Sequence, residues 1–445
     1  MAGAFAQTRL YRLPTSSGAD YAIPMTTTKD RSVLSTRPRI LCMMTLPPDL
    51  NGHGGSQRAW RLVEALSGLG EVHFVLIYRD GDQAAIDTSL VPLAPFVAST
   101  TRINIPQWRG RKGKVLRVIQ PAVADILKFG SFAAPKFSAK AVKEIAKLLP
   151  LRDPDIIFAG RITCATVVQS LIERRVLSSR KTLVDFDDIV SKWRRRQLSQ
   201  MGASWGVQGR FLGKLDVFLV AREERRIARN WDKISVCSDE DVFELRKVTG
   251  KAGILKVPNA VAHDLLPMRT ADGSFRCLFV GNLGFPPNIH GLNEFLQVSW
   301  PMIRQASPKV TLEIVGFNAP DQLLARNGSD GIAVHSNVPS LIPYYERADV
   351  IIAPILFGGG TRVKIVEAMA YGRPVVSTSI GAEGLNVTDG KEILLADTMD
   401  QFGRLIVKLS QDASPLTSVA AHARAFQQKN FGPEAFGSAM SKLLS

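Results

Sequence analysis

The stretch VIIAPILFGGGTRVKIVEAMAYGRPVVSTSIGAEGL, residues 350–385, decides how this chain is read. An apolar run ends at Pro354, and three glycines, Gly358, Gly359 and Gly360, follow. Without a Cβ, such a loop lets backbone approach a ligand closely. The spacing then predicts a helix starting near Thr361, whose free amides and positive dipole end attract an anion. Arg362 and Lys364 add formal charge at the same place, a combination suited to a diphosphate. Lys364, Glu367 and Tyr371 share one stripe of that helix; Val363, Val366 and Ala370 form an apolar stripe beside it. A carboxylate one turn beyond a phosphate site is placed to accept hydrogen bonds from ribose hydroxyls. An ordinary amphipathic helix behind a loose glycine loop would show the same pattern, and the pattern alone leaves that reading open.

Outward from this stretch, strands and helices alternate. FRCLFVG, VTLEIVG, GIAVHS, RPVVST and KEILLA read as strands in the C-terminal half. In the N-terminal half, RILCMMT is a buried strand, PPDLNGHGG a loop, SQRAWRLVEALSGLG a helix and EVHFVLI the next strand, a Rossmann-type opening. PDIIFAG, KTLVDFDD and KISVCS continue the series, with a helix over roughly 208–231. The fold class expected is α/β, with two Rossmann-like domains facing a cleft and ligands at the carboxyl ends of parallel strands. The divisions are a flexible extension over 1–37, an N-terminal domain over 38–258, a linker over 259–274 and a C-terminal domain over 275–445. The last helix is a candidate to return to the N-terminal domain.

A chain of 445 residues, 45% hydrophobic and 22% charged, can bury two cores. No run approaches the ~18–20 apolar residues of a spanning helix, and the start lacks a secretory pattern. Cys42, Cys164, Cys237 and Cys277 are far apart without metal spacing, as expected of buried free thiols in a reducing cytoplasm. Residues 1–260 hold 41 Lys and Arg against 24 Asp and Glu, whereas residues 261–445 hold 15 against 16. The basic surface therefore belongs to the N-terminal half and favours anionic partners. The basic segments 109–117 and 192–196 read as solvated faces. They lack the aromatic interleaving of a nucleic-acid binder, so an anionic membrane is the better functional partner and no nucleic acid is expected.

The chain resembles the GT-B glycosyltransferases, in particular the large retaining group called family four and its bacterial polysaccharide-assembly members. EAMAYGRPVV and GAEGL carry the resemblance, supported by VPNAV, FVGNLGFPPNIHGLNEF, YYERADVIIAP, DFDDIVSKW and EERRIARNWDKISVCSDED, and it runs from about residue 38 to the end. It implies a donor site made by Gly55, Gly281, Asn282, Gly358, Gly359, Gly360, Thr361, Arg362, Lys364 and Glu367. Many relatives carry a second glutamate where this chain has Gly359, and an Arg and a Lys where it has Asn282 and Asn288. Arg362 and Lys364 are therefore expected to take the phosphate charge and to act as catalytic groups. The loop Asn51–Gly55 is placed against donor phosphate or acceptor, with Gly54 and Arg58 on the acceptor side; a tight turn and a solvated arginine are the plain alternatives. Asp185, Asp187 and Asp188 look like a metal-binding DxD, but the rest of the chain does not resemble the fold that uses one, so no metal is expected. Asp187 is a candidate base or acceptor anchor, or a capping aspartate.

The implied reaction is hexosyl transfer from a nucleotide-sugar to a hydroxyl of a saccharide or lipid-linked acceptor in polysaccharide or glycan assembly. The anomeric configuration is retained, and the nucleotide-sugar is a substrate, with no cofactor. The expected location is cytoplasmic, peripheral on the cytoplasmic face of the inner membrane. A nucleotide-sugar epimerase of the same fold, or a non-catalytic glycosyltransferase-like binding subunit, stays open as an alternative.

Overall fold

Aliphatic and β-branched runs with almost no charge suit strands covered on both faces, and helices flank every sheet they form. The computed structural model describes residues 12–13, 21–22, 37–50, 52–78, 89–104, 139–201, 206–269 and 272–445. Most of the extension expected over 1–37, the basic segment 109–117 and Asn51 lie outside the described residues. Strands β1 (Arg12–Leu13) and β2 (Tyr21–Ala22) pair antiparallel.

The N-terminal sheet contains β3 (Arg39–Met44), β4 (Glu71–Tyr78), β5 (Ser99–Asn104), β6 (Ile156–Gly160), β7 (Lys181–Asp187), β8 (Lys233–Val236) and β9 (Ile254–Lys256). All pairs are parallel, in the spatial order β5-β4-β3-β6-β7-β8-β9. Its helices are α1 (Gly54–Leu69), α2 (Ala139–Leu148), α3 (Arg161–Glu173), α4 (Val190–Met201), α5 (Gly206–Asn230) and α6 (Asp239–Thr249). Local chemistry sets the ends of α6: the Ser238 side chain accepts from the Asp241 amide, three acids fill the first turn, and Gly250 closes the helix at φ 69°.

The C-terminal sheet is also wholly parallel, in the order β12-β11-β10-β13-β14-β15. Its strands are β10 (Phe275–Asn282), β11 (Val310–Phe317), β12 (Ile332–Ser336), β13 (Val350–Ala353), β14 (Val375–Ser377) and β15 (Leu394–Leu395). Helices α7 (Pro286–Glu294), α8 (Trp300–Ala306), α9 (Asp321–Leu324), α10 (Ile342–Arg347), α11 (Val363–Ala370), α12 (Met399–Gln411) and α13 (Ser414–Phe431) surround it.

In each sheet the strand order reverses once, between β3 and β6 and between β10 and β13. A doubly wound sheet opens a crevice at such a reversal, at the carboxyl ends of the strands. The glycine loop after β13 and the loop after β3 both leave from these points. The final helix, α14 (Pro433–Leu444), packs on β8 and β9, and its Phe436, Met440 and Leu443 share a core with Phe74, Phe158 and Leu183. Lys181 and Lys233 donate to the carbonyls of Leu444 and Lys442 at 2.7 and 3.1 Å, placing cations at the negative helix end. All four cysteines are buried and unpaired. Among the described residues, no helix is long and apolar enough to cross a membrane.

Candidate active site

The glycine loop takes a path that side chains resist. Gly358 has φ 142° and Gly360 φ 65°, so only glycine fits the first without strain. The loop docks on the N-terminal domain: the Thr361 amide donates to Cys237 Sγ at 3.3 Å. A Cβ on Gly54 would stand 2.7 Å from that of Val363. The amino-terminal ends of α1 and α11 therefore approach each other directly, one from each domain.

Cations gather behind this loop. Arg362 Nη1 donates to the carbonyls of Gly359 and Gly360, while its Nε and Nη2 are buried without a partner among the described residues. Burial lowers its pKa, and Asp188 and Glu383 oppose that. A buried guanidinium with two idle donors is costly to keep and suited to receive an anion. Lys364 Nζ donates to Asn288 Oδ1 at 2.8 Å and lies 4.4 Å from the Phe279 ring centroid. Burial, helped by Arg362, pushes its pKa down to about 7. A Cβ on Gly281 would come within 2.7 Å of the Lys364 amine, so the glycine makes room for it. Asn282 accepts from the Asn288 amide nitrogen through its backbone carbonyl at 2.8 Å, which turns the Asn288 oxygen toward Lys364.

Glu367 is buried on the next turn. Its Oε2 accepts from the Tyr345 hydroxyl at 3.1 Å, and its Oε1 lies 3.4 Å from His263 Nε2. The His263 ring stacks on Tyr371, with centroids 4.2 Å apart. This histidine of the interdomain segment lies beside the carboxylate without a hydrogen bond from its Nε2 among the described residues, a neighbour that sequence reasoning missed.

On the opposite wall, Arg58 makes a bidentate pair with Asp185 at 2.8 and 2.6 Å and donates to Val257 O and Asn259 Oδ1. Asn259 in turn donates to Thr361 Oγ1 at 2.8 Å. Arg58 is buried in a brace running from β7 through the interdomain connection to the glycine loop, rather than standing free toward an acceptor. Asp187, at φ 62°, lies 3.2 Å from Arg161 Nη2 and 3.6 Å from Arg58 Nε. Asp188 faces the glycine loop: its atoms lie 3.0 and 3.5 Å from where Cβ atoms of Gly360 and Gly359 would be. Burial, then the Asp187 charge, raises its pKa to about 7. The three aspartates do not converge, and no three metal-ligating side chains do so among the described residues. A small hollow of about 20 Å³ lies among Met44, Gly55, Arg58, Arg161 and Asp187 on the N-terminal wall.

Helix α4 corrects the reading of 192–196 as a solvated basic face. Lys192 pairs with Asp241 at 2.8 Å and Glu383 at 3.2 Å, and Arg194 pairs with Asp216. Arg196 holds Glu383 and donates to the Gly358 carbonyl at 3.1 Å. Only Arg195 of the run is exposed. Burial would raise the Glu383 carboxyl, but Arg196 and Lys192 outweigh it and hold the group near about 2. Trp193 meets Phe285 of the other domain edge-on, at 6.3 Å between centroids.

Residues 274–412 match the family described as glycosyl transferases group 1. A 44.6 kDa protein in the cps region of Klebsiella pneumoniae is 34% identical over 162 residues, 35% of this chain and 42% of that protein. The matched part thus spans less than half the length of that curated relative. Sucrose-phosphate synthase from Thermosynechococcus elongatus has a similar structure, with a TM-score of 0.64 at 18% identity, covering 91% of this chain and 98% of that one. HepE from Anabaena, solved in complex with UDP-glucose, gives a TM-score of 0.60 at 16% identity, over 92% and 99%. The fold is that of the GT-B glycosyltransferases. Within this GT-B frame, the family match covers Gly281, Asn282, the glycine loop, Arg362, Lys364 and Glu367. Gly54, Gly55, Arg58 and Asp187 lie outside it.

Proposed function

We propose that the cleft binds a nucleotide-sugar and transfers its sugar, with retention at the anomeric carbon, to a hydroxyl of a saccharide or lipid-linked acceptor in glycan assembly. The observation that carries this reading is Arg362: two buried guanidinium donors, idle among the described residues, beside a glycine loop at the start of α11. The diphosphate lies against that helix end, with Arg362 and Lys364 supplying charge. As the bond from the sugar to the diphosphate breaks, negative charge grows on the leaving oxygen, and donors already aimed there stabilise it. Arg362, Lys364 and the helix amides neutralise the leaving group, so the reading requires no metal and no cofactor. Glu367 accepts from the ribose. The C-terminal domain holds the donor, and the acceptor hydroxyl approaches from the wall carrying Asp187 and Asp188. Of these two, Asp188 has the freer carboxyl, because Arg161 and Arg58 flank Asp187. The protein works in the cytoplasm, where nucleotide-sugars are made.

A thermal-shift series tests this reading. One nucleoside diphosphate should stabilise the wild type by mass action, and Arg362→Met should abolish that shift. Glu367→Gln should weaken the nucleoside diphosphate more than inorganic pyrophosphate, since only the former carries a ribose. Undiminished stabilisation of Arg362→Met would remove the phosphate site from this cleft.

A further inference from the structure

Helix α5 has an outer face that the cleft does not use. Val207, Phe211 and Phe218 are 86%, 59% and 57% exposed. They are spaced four and seven residues apart, so they stand on one stripe. Lys214 falls between the two phenylalanines on that stripe, and Arg222, Arg225 and Arg229 continue it. All four are exposed, and none makes an ion pair among the described residues. The neighbouring Arg226, by contrast, is tied to Glu173 and Glu223. From Val207 to Arg229 the stripe runs ~33 Å along the helix. Its first half carries the apolar side chains with Lys214 among them and its second half is cationic, on the domain that holds the chain's excess of positive charge.

The inner face of the same helix is tied to the cleft. Asp216 of α5 pairs with Arg194 of α4, and the Glu224 carboxylate accepts from the amide and hydroxyl of Ser191 at the start of α4. Helix α4 is the element whose Arg196 holds the glycine loop. The exposed stripe therefore lies one helix away from the cleft.

We infer that the outer face of α5 is a membrane-docking surface that seats the N-terminal domain on an anionic lipid bilayer. Large exposed aromatics beside uncompensated basic side chains match what an interfacial helix needs: apolar groups entering the headgroup boundary and cations meeting lipid phosphates. Both phenylalanines lie in the amino-terminal half of the stripe, up to Phe218 at its middle, and the basic run Arg222, Arg225 and Arg229 beyond them holds no ring. A single-stranded nucleic acid would instead call for a groove with rings interleaved along it. Free phosphate would not engage the phenylalanines. This inference does not depend on the proposed reaction, though a bilayer is where a lipid-linked acceptor would be met.

The test is co-sedimentation of the full chain with vesicles of phosphatidylcholine alone or mixed with phosphatidylglycerol. The wild type should bind only the anionic vesicles and release as salt rises. Phe211→Ser with Phe218→Ser should lose binding at every salt concentration. Arg222→Glu, Arg225→Glu and Arg229→Glu together should weaken binding at low salt by at least about 100-fold. Nucleoside diphosphate binding and thermal midpoints should match the wild type in both variants, which separates failure here from failure of the donor site. Binding of neutral and anionic vesicles alike, or variants that sediment like the wild type, would overturn the inference. A wild-type dimer in light scattering that becomes monomeric in the phenylalanine variant would also overturn it, assigning the face to a second copy of the chain.

Discussion

Lys364 keeps a charge where burial opposes it. Its ammonium faces an aromatic ring and an amide oxygen, and its pKa falls to about 7 against 10.5 for the free side chain. A lysine with a lowered folded pKa penalises folding fully below about pH 7, where both states are protonated. The penalty fades as pH rises toward the unfolded value, because the unfolded chain alone still binds the proton in that window. Lys364→Met should therefore raise the thermal midpoint at pH 7, by roughly 2–4 °C for each kcal/mol relieved, and by less at pH 10. The same variant should lose nucleoside diphosphate affinity. An equal gain at both pH values would mean that packing, not charge, is relieved. The proximity of Lys364, Arg362 and the three glycines was legible in the sequence because all five lie within seven consecutive residues. Arg58 was not: its partner Asp185 lies 127 residues away. Nothing near position 58 distinguishes a buried arginine from one facing a cleft.

At the scale of elements, α4 is the instructive helix. Its sequence, VSKWRRRQLSQM, has too few apolar residues for a helical period to show. What holds it is charge: Lys192, Arg194 and Arg196 find carboxylates on α6, on α5 and in the C-terminal domain. The parallel strands were legible because their burial repeats residue by residue, whereas these pairings span up to 187 residues. Arg196 reaches both Glu383 and the Gly358 carbonyl, so α4 reports the position of the glycine loop to the N-terminal domain. Both partners are part-exposed, and such pairs are worth little individually. Their effect should appear in ligand coupling more than in stability. Arg196→Gln is expected to lower nucleoside diphosphate affinity about tenfold, near 1.4 kcal/mol, while shifting the thermal midpoint little. Calorimetry checks this. Unchanged affinity would reduce the contact to a passive ion pair.

At the scale of the whole molecule, two sheets of the same winding present their reversal points to one cleft, and the chain crosses between them twice. The first crossing is the segment after β9. The second follows α13, where Gly432 turns the backbone and α14 returns to the N-terminal sheet. Composition and alternation show two α/β units, but they do not show to which unit a terminal amphipathic helix belongs, since its apolar stripe fits either core. The consequence is physical: residues 1–260 alone would leave open the ground that Phe436, Met440 and Leu443 cover beside Phe74 and Phe158. Phe436→Ala should therefore cost about 3–5 kcal/mol, and the loss should fall on the domain that α14 covers rather than the one that precedes it in sequence. Hydrogen exchange read by mass spectrometry resolves the two. Faster exchange should appear in β7, β8 and β9, with β10, β11 and β13 unchanged. Exchange that quickens in the C-terminal sheet, or equally in both, would mean that α14 is energetically part of the domain it leaves.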